Sequence, residues 1–204
     1  MSSSGRIGMF GGTFDPPHVG HRIVAADVIE ALELDRLVIV PAPRPPHRRA
    51  ELPADVRLGL TRKAFAGDPR IEVSDVEYGR RGPSFTVDTL ERIRTAYPDA
   101  RLFLVVGCDQ YEGLSGWRNP ERIVQLAELA VMRRDGRPPE PDPRYPFRAV
   151  DVTRVDLSST AIRRRLTEGR SVRYLVPDAI LDDVRRAWDE RTSDERMTGT
   201  ETTC

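Results

Sequence analysis

The chain has 204 residues, 39% hydrophobic and 31% charged, and its 32 basic residues balance 32 acidic ones to a net charge of zero. That composition describes a folded globular chain with a real core, and excludes a disordered protein or one drawn to nucleic acid or membrane by its overall field. The two cysteines, Cys108 and Cys204, form neither a disulfide framework nor a zinc spacing.

Apolar runs and helical patterns alternate almost throughout. Ile7–Phe10 predicts a strand and Val19 to Leu34 a helix, whose Ile23, Ala26, Asp27 and Glu30 separate into apolar and polar sides. Leu37–Val40 predicts a second strand, stopped by Pro41, and a proline- and arginine-rich loop runs to Pro53 before a helix over Ala54–Ala66. Ile71–Val73 is a short strand extending toward Val76; a glycine turn then leads into a helix from Thr86 to Ala96, ended by Tyr97-Pro98. Leu102–Val106 is the most strand-like run and suits a central strand covered on both faces. Helical segments follow at Asp109–Leu114 and Pro120–Leu126, then a strand at Leu129–Met132, a loop over Arg137–Pro146 and a strand at Ala149–Val155. Helices over Ser158–Leu166 and Pro177–Arg191 close the pattern, and the polar tail Thr192–Cys204 is expected to be disordered. The fold class is therefore α/β: a Rossmann-like, doubly wound parallel sheet with a small C-terminal helical part over 158–191, in one domain spanning 1–191.

No apolar run is long enough to span a bilayer, and Met1 to Phe10 lacks the layout of a signal peptide, so a cytoplasmic protein is expected. Lys63 is the only lysine; coding bias explains the arginine richness more simply than demand for bidentate anion recognition.

The densest chemistry lies in Gly11-Gly12-Thr13-Phe14-Asp15-Pro16-Pro17-His18-Val19-Gly20-His21. Glycines after a first strand let backbone amides approach a phosphate, and the following helix N-terminus adds partial positive charge. His18 and His21 share a face of the first helical turn, and Gly20 between them removes a side chain. No further histidine or carboxylate completes an evident metal site, so metal binding is the weaker reading, and Asp15 is taken as a turn residue before Pro16. Gly107-Cys108-Asp109 follows the central strand and falls on the same sheet edge, with Cys108 read as a small buried hydrophobe. Ser158-Ser159-Thr160 supply hydroxyls at a helix N-terminus, and Arg163 lies one turn on, an arrangement suited to a triphosphate.

The eleven-residue run resembles the signature of the HxGH nucleotidyltransferase superfamily, and within it the bacterial nicotinate-mononucleotide adenylyltransferase family. The resemblance implies that His18 and His21 contact ATP phosphates and stabilise the transition state, and that Thr13, with Gly11 and Gly12, binds a phosphate. Gly82-Pro83-Ser84-Phe85-Thr86-Val87-Asp88-Thr89-Leu90 is similar to the family's G-x-S-Y-T-x-D-T-L segment. That likeness places Ser84, Phe85 and Thr86 at the acceptor's carboxylate, with Ser84 or Thr86 also able to cap the helix. Gly107 and Asp109 match a G-x-D whose carboxylate contacts a ribose, and Trp117 matches a tryptophan that stacks on the pyridine ring. Val155–Arg163 resembles the superfamily's I-S-S-T-x-I-R segment, which implies ATP contacts from Ser158, Ser159 and Thr160 and a catalytic role for Arg163. Arg48 stands where the family has a phosphate-reaching lysine, and Arg134 lies in a segment similar to its R-P-G; both are taken as acceptor-binding.

The implied activity is transfer of AMP from ATP to nicotinate mononucleotide, giving nicotinate adenine dinucleotide (deamido-NAD) and pyrophosphate in NAD biosynthesis. Mg²⁺ would arrive mainly on the ATP phosphates, with no dedicated protein site. ATP and nicotinate mononucleotide are the implied partners, with no nucleic acid and no membrane, and the sequence leaves a homo-oligomer open. The rival acceptors are nicotinamide mononucleotide and phosphopantetheine; the rival outside catalysis is an ATP-binding sensor.

Overall fold

The computed structural model describes residues 5–46, 49–79, 82–133 and 139–199, with side chains to residue 193. Six strands, β1 (Arg6–Gly12), β2 (Arg36–Pro41), β3 (Ile71–Val73), β4 (Arg101–Gly107), β5 (Glu128–Arg133) and β6 (Phe147–Asp151), form one sheet in the order β3-β2-β1-β4-β5-β6. Every neighbouring pair is parallel. The order reverses between β1 and β4, and ligands of such sheets bind beyond the carboxyl ends of the two strands at that point.

The helices are α1 (Val19–Ala31), α2 (Ala54–Ala64), α3 (Thr86–Ala96), α4 (Cys108–Glu112), α5 (Pro120–Leu126), α6 (Ser159–Thr167) and α7 (Leu181–Gly199). Alternating strand residues feed two cores. Phe10, Ile39, Phe103, Val105 and Ala130 face α1, α2, α6 and α7, whereas Ile7, Met9, Val38, Leu104 and Val131 face α3 and α5. Both faces are thus covered, which is why the strands carry continuous apolar runs instead of alternation.

Besides helix ends displaced by a few residues, three boundaries and the phase of one helix differ from the sequence reading, each for a local reason. β3 stops at Val73, because Ser74 donates the last bond to β2, at Ile39 O, before the chain turns. β6 starts two residues and ends four residues early: it is an edge strand registered on β5 from Leu129↔Phe147 to Arg133↔Asp151, and beyond Val152 the chain leaves to donate Thr153 N–H to Asp27 on α1. The buried stripe of α1 is Val24, Ala25, Val28 and Ile29; Ile23 is only partly buried and Ala26 faces solvent. Finally, α7 continues through 192–199, part of the segment expected to be disordered. No proline or glycine interrupts it before Gly199, and Thr192 and Ser193 turn their hydroxyls back onto Asp189 O, a bond that satisfies them without breaking the helix. Trp188, Val184 and Leu181 anchor this helix in the first core.

Candidate active site

Past the carboxyl ends of β1 and β4 lies a cleft of about 540 Å³. Gly11, Gly12, Thr13, Phe14, His21 and Ser159 line one side; Ser84, Phe85, Thr86, Trp117 and Arg118 line the other, and Gly107 and Asp109 lie at the end of β4. The structure therefore brings the separate sequence motifs into one cavity.

The first side is built around the turn after β1. Phe14 takes a left-handed backbone conformation (φ 49°), uncommon for a bulky residue, and is held there by burial and by edge-on packing against Phe10, His21 and Phe65. His18 caps α1 and is buried, while His21 one turn on lines the cleft; their rings stack at 3.7 Å. His21 Nδ1 accepts the backbone N–H of His18 at 3.1 Å. A neutral imidazole that accepts at Nδ1 carries its proton on Nε2, so His21 is held in the tautomer that donates from Nε2. Gly20 has a more local reason than ligand access. A Cβ there would sit 3.1 Å from His18 Nδ1, in the space of the histidine's own ring.

Helix α6 completes this side. Ser158 is its N-cap and accepts from Ala161 N, Ser159 donates to Pro16 O at 2.9 Å, and Thr160 Oγ1 accepts from Arg163. Of these three hydroxyl residues only Ser159 lines the cleft. Arg163 reaches back to the turn after β1, donating to Asp15 O at 2.8 Å and lying 3.7 Å from the Asp15 carboxylate. Ile162, fully buried, holds the opposite face in the core. Asp15 thus does more than begin a turn.

On the other side, α3 starts at Thr86 with Phe85 as its N-cap residue; neither Ser84 nor Thr86 is the cap expected from the sequence. Ser84 is instead fixed through its backbone, donating to Arg44 O. Trp117 ends a short 3-10 turn (Leu114–Gly116) and packs half-buried on the second core. Arg118 lies 4.8 Å over the Phe85 ring and 3.7 Å from Asp88, tying the Trp117 segment to the start of α3. At the head of α4, a Cβ on Gly107 would meet Asp109 Oδ1 at 2.6 Å, so a side chain there would push this carboxylate out of its present pose. Cys108 is half-buried, less enclosed than expected, and its thiol donates to Met132 O.

Two further residues shape the cleft that the sequence motifs do not single out. Arg57 on α2 is 1% exposed and donates to the carbonyls of Leu52, Thr13, Ala42 and Pro43, joining the turn after β1 to the segment after β2. Its sequence signal was available: an arginine in phase with Thr61 and Ala64 on the inner face of α2. Glu77 lines the cleft, is buried, and accepts from Thr89 on α3 at 2.5 Å. The next residue, Tyr78, donates to Ala54 O, and burial pushes its hydroxyl pKa up. Arg48 and Arg134 lie outside the described residues.

Comparison with known proteins agrees with this geometry. The model of the cytidylyltransferase-like family matches residues 9–165. A Thermus thermophilus protein named probable nicotinate-nucleotide adenylyltransferase is 47% identical over 175 residues, covering 86% of this chain and 94% of the relative. A Gemmatimonas aurantiaca protein of the same name is 44% identical, covering 86% and 87%. This chain belongs to the nicotinate-nucleotide adenylyltransferase family. Its fold is also that of the Plasmodium falciparum nicotinic acid mononucleotide adenylyltransferase, solved in complex with APC (TM-score 0.72, 15% identity, 91% of this chain and 98% of that one). The same enzyme in complex with NaAD superposes with a TM-score of 0.70 at 15% identity, covering 93% and 96%.

Proposed function

We propose that the chain transfers the adenylyl group of ATP to nicotinate mononucleotide, forming nicotinate adenine dinucleotide and releasing pyrophosphate. The observation that carries this reading is the joining of the His21–Ser159 wall and the Ser84–Trp117 wall in one cleft, at the point where strand order reverses. One wall suits a triphosphate; the other offers a helix N-terminus for a carboxylate and an indole for an aromatic ring.

A phosphate oxygen of the acceptor attacks the α-phosphorus of ATP, the bond from that phosphorus to the oxygen bridging to the β-phosphate breaks, and the electron pair leaves on pyrophosphate. A phosphate monoester is mostly ionised at neutral pH, so no general base has to remove a proton. The task is to hold two anions in line and to meet charge developing on the α-phosphate and the leaving group. His21 donates from Nε2, with His18 stacked behind it in the phosphate-binding pair, and Gly11–Thr13, Ser158–Thr160 and Arg163 complete the ATP half. Ser84–Thr86 and Trp117 take the nicotinate end, Asp109 a ribose hydroxyl, and Arg48 and Arg134 remain acceptor-side candidates. Among the described residues no group of three or more His, Cys, Asp or Glu could hold a metal ion. The proposal places Mg²⁺ on the ATP phosphates, where it would neutralise charge.

We take residues 1–191 as one catalytic domain with 158–191 as its helical end. No described helix is long and apolar enough to cross a membrane; a cytoplasmic location is part of the proposal.

The test is pyrophosphate release with ATP and each of nicotinate mononucleotide, nicotinamide mononucleotide and phosphopantetheine. The expected result is the highest kcat/KM with nicotinate mononucleotide. Absence of turnover with that acceptor would overturn the assignment, and ATP binding without pyrophosphate release would favour a sensor.

A further inference from the structure

The side chain of Asp15 has a pattern of partners that a turn residue does not need. It is 4% exposed, and its carboxylate accepts Glu51 N–H at 2.7 Å and Leu52 N–H at 3.0 Å. Arg163 lies 3.7 Å from the same carboxylate and donates to the Asp15 carbonyl. An aspartate that merely starts a turn bonds the backbone about two residues on. These partners stand 36, 37 and 148 residues away. Burying a carboxylate is costly unless donors and an opposite charge meet it; here two backbone N–H groups of one remote segment donate to the side chain, and the Arg163 guanidinium of another lies 3.7 Å away as its ion-pair partner.

We propose that Asp15 is a positioning residue: its buried carboxylate holds the Arg163 guanidinium in a fixed pose at the edge of the triphosphate site without itself touching substrate. The idea rests on the adenylyl-transfer reading above. Arg163 is gripped at two points, one amino group on Asp15 O and the other on Thr160 Oγ1, with its remaining N–H groups left for a ligand. An arginine on a flexible stem beside a triphosphate would follow the ground-state charge of ATP and stabilise substrate as well as transition state. Such uniform binding does not raise kcat. The anionic partner behind Arg163 resists that drift, so the guanidinium stays where charge develops as pyrophosphate departs. The same carboxylate fixes residues 51 and 52, and Glu51 in turn pairs with Arg191 on α7, so the pose is referenced to the C-terminal helix as well.

This assigns Asp15 a kinetic signature. Asp15→Asn keeps the shape, removes the charge and gives up one of the two backbone N–H bonds, since the amide nitrogen cannot accept. The expected result is a kcat about 10- to 100-fold lower, the scale of a small misplacement of a catalytic group. The Kd for a non-hydrolysable ATP analogue, measured by calorimetry, should stay unchanged or tighten, because a negative charge near the triphosphate is gone. The loss should also vanish in an Arg163→Ala background, since Asp15 then has nothing to position. Asp15→Glu is the second variant: it keeps the charge but moves it by one methylene, and should show the same kcat loss and the same non-additivity. Wild-type kcat in Asp15→Asn would overturn the proposal. So would a loss that persists undiminished without Arg163, ATP affinity falling in step with kcat, or failure of both variants to fold. Failure of the adenylyl-transfer reading is seen separately, as a wild-type protein that does not turn over.

Discussion

The two walls of the cleft are built on different principles. The wall proposed for ATP is braced by polar bonds between distant segments: buried Arg57 joins four carbonyls, buried Asp15 joins three segments, and the partly exposed Ser159 and Arg163 fasten α6 to the turn after β1. On the acceptor side, Ser84, Phe85, Thr86 and Trp117 are partly exposed, and Arg118 bridges them from the surface. A braced wall suits the half of the reaction in which charge develops, where preorganised donors are worth most. A looser wall suits a half whose task is to admit and recognise a ring and a carboxylate.

That contrast predicts a graded series. His21→Ala should cost the most, lowering kcat about 10²–10³-fold, as removal of one preorganised donor does elsewhere; single-turnover kinetics will show whether the chemical step is affected. Arg57→Met should come next, destabilising the fold by about 3 kcal/mol as several buried carbonyls lose their donor, which a urea titration reads. Trp117→Ala should raise the acceptor KM about 5- to 100-fold, the scale of one stacking contact, and leave ATP affinity unchanged. If it lowered kcat as much as His21→Ala, the division of labour between the walls would fail. Arg118→Ala removes an exposed cation–π contact and a loose ion pair, so only a two- to five-fold rise in acceptor KM, roughly 0.5–1 kcal/mol, is expected.

The smallest effect concerns Tyr78 and alkaline pH. Burial raises its hydroxyl pKa in the folded protein. The unfolded chain therefore releases this proton first, and the folded state loses stability as pH climbs above about 10, by at most about 1.4 kcal/mol per pH unit. Tyr78→Phe should flatten that limb of the Tm-against-pH curve. An unchanged slope would show that other groups govern it.

The order of strands and helices was legible because each apolar run is continuous and each helix is punctuated by glycine or proline, as at Gly107 and Pro98. Gly11–His21 and Gly107–Asp109 were legible for the same reason, since each falls just beyond a strand. Phase and termination were harder. The stripe of α1 was misread because Ala26 is exposed at little cost, and β6 because its end is set by pairing with β5 and not by its own apolar content. The connecting polar residues were the least visible. Asp15 looks like a turn starter, and the phase of Arg57 with Thr61 and Ala64 turns it inward without saying what it meets, because their partners lie elsewhere in the chain.

The bond from Arg163 to Asp15 spans 148 residues. During synthesis the turn after β1 leaves the ribosome early, together with the strands and helices that form the acceptor wall. Helix α6 follows only after the whole sheet has emerged. A nascent chain halted before residue 158 therefore holds both histidines and the Ser84–Trp117 wall but lacks α6, and with it the two bonds that fasten the turn after β1 from the far end of the chain.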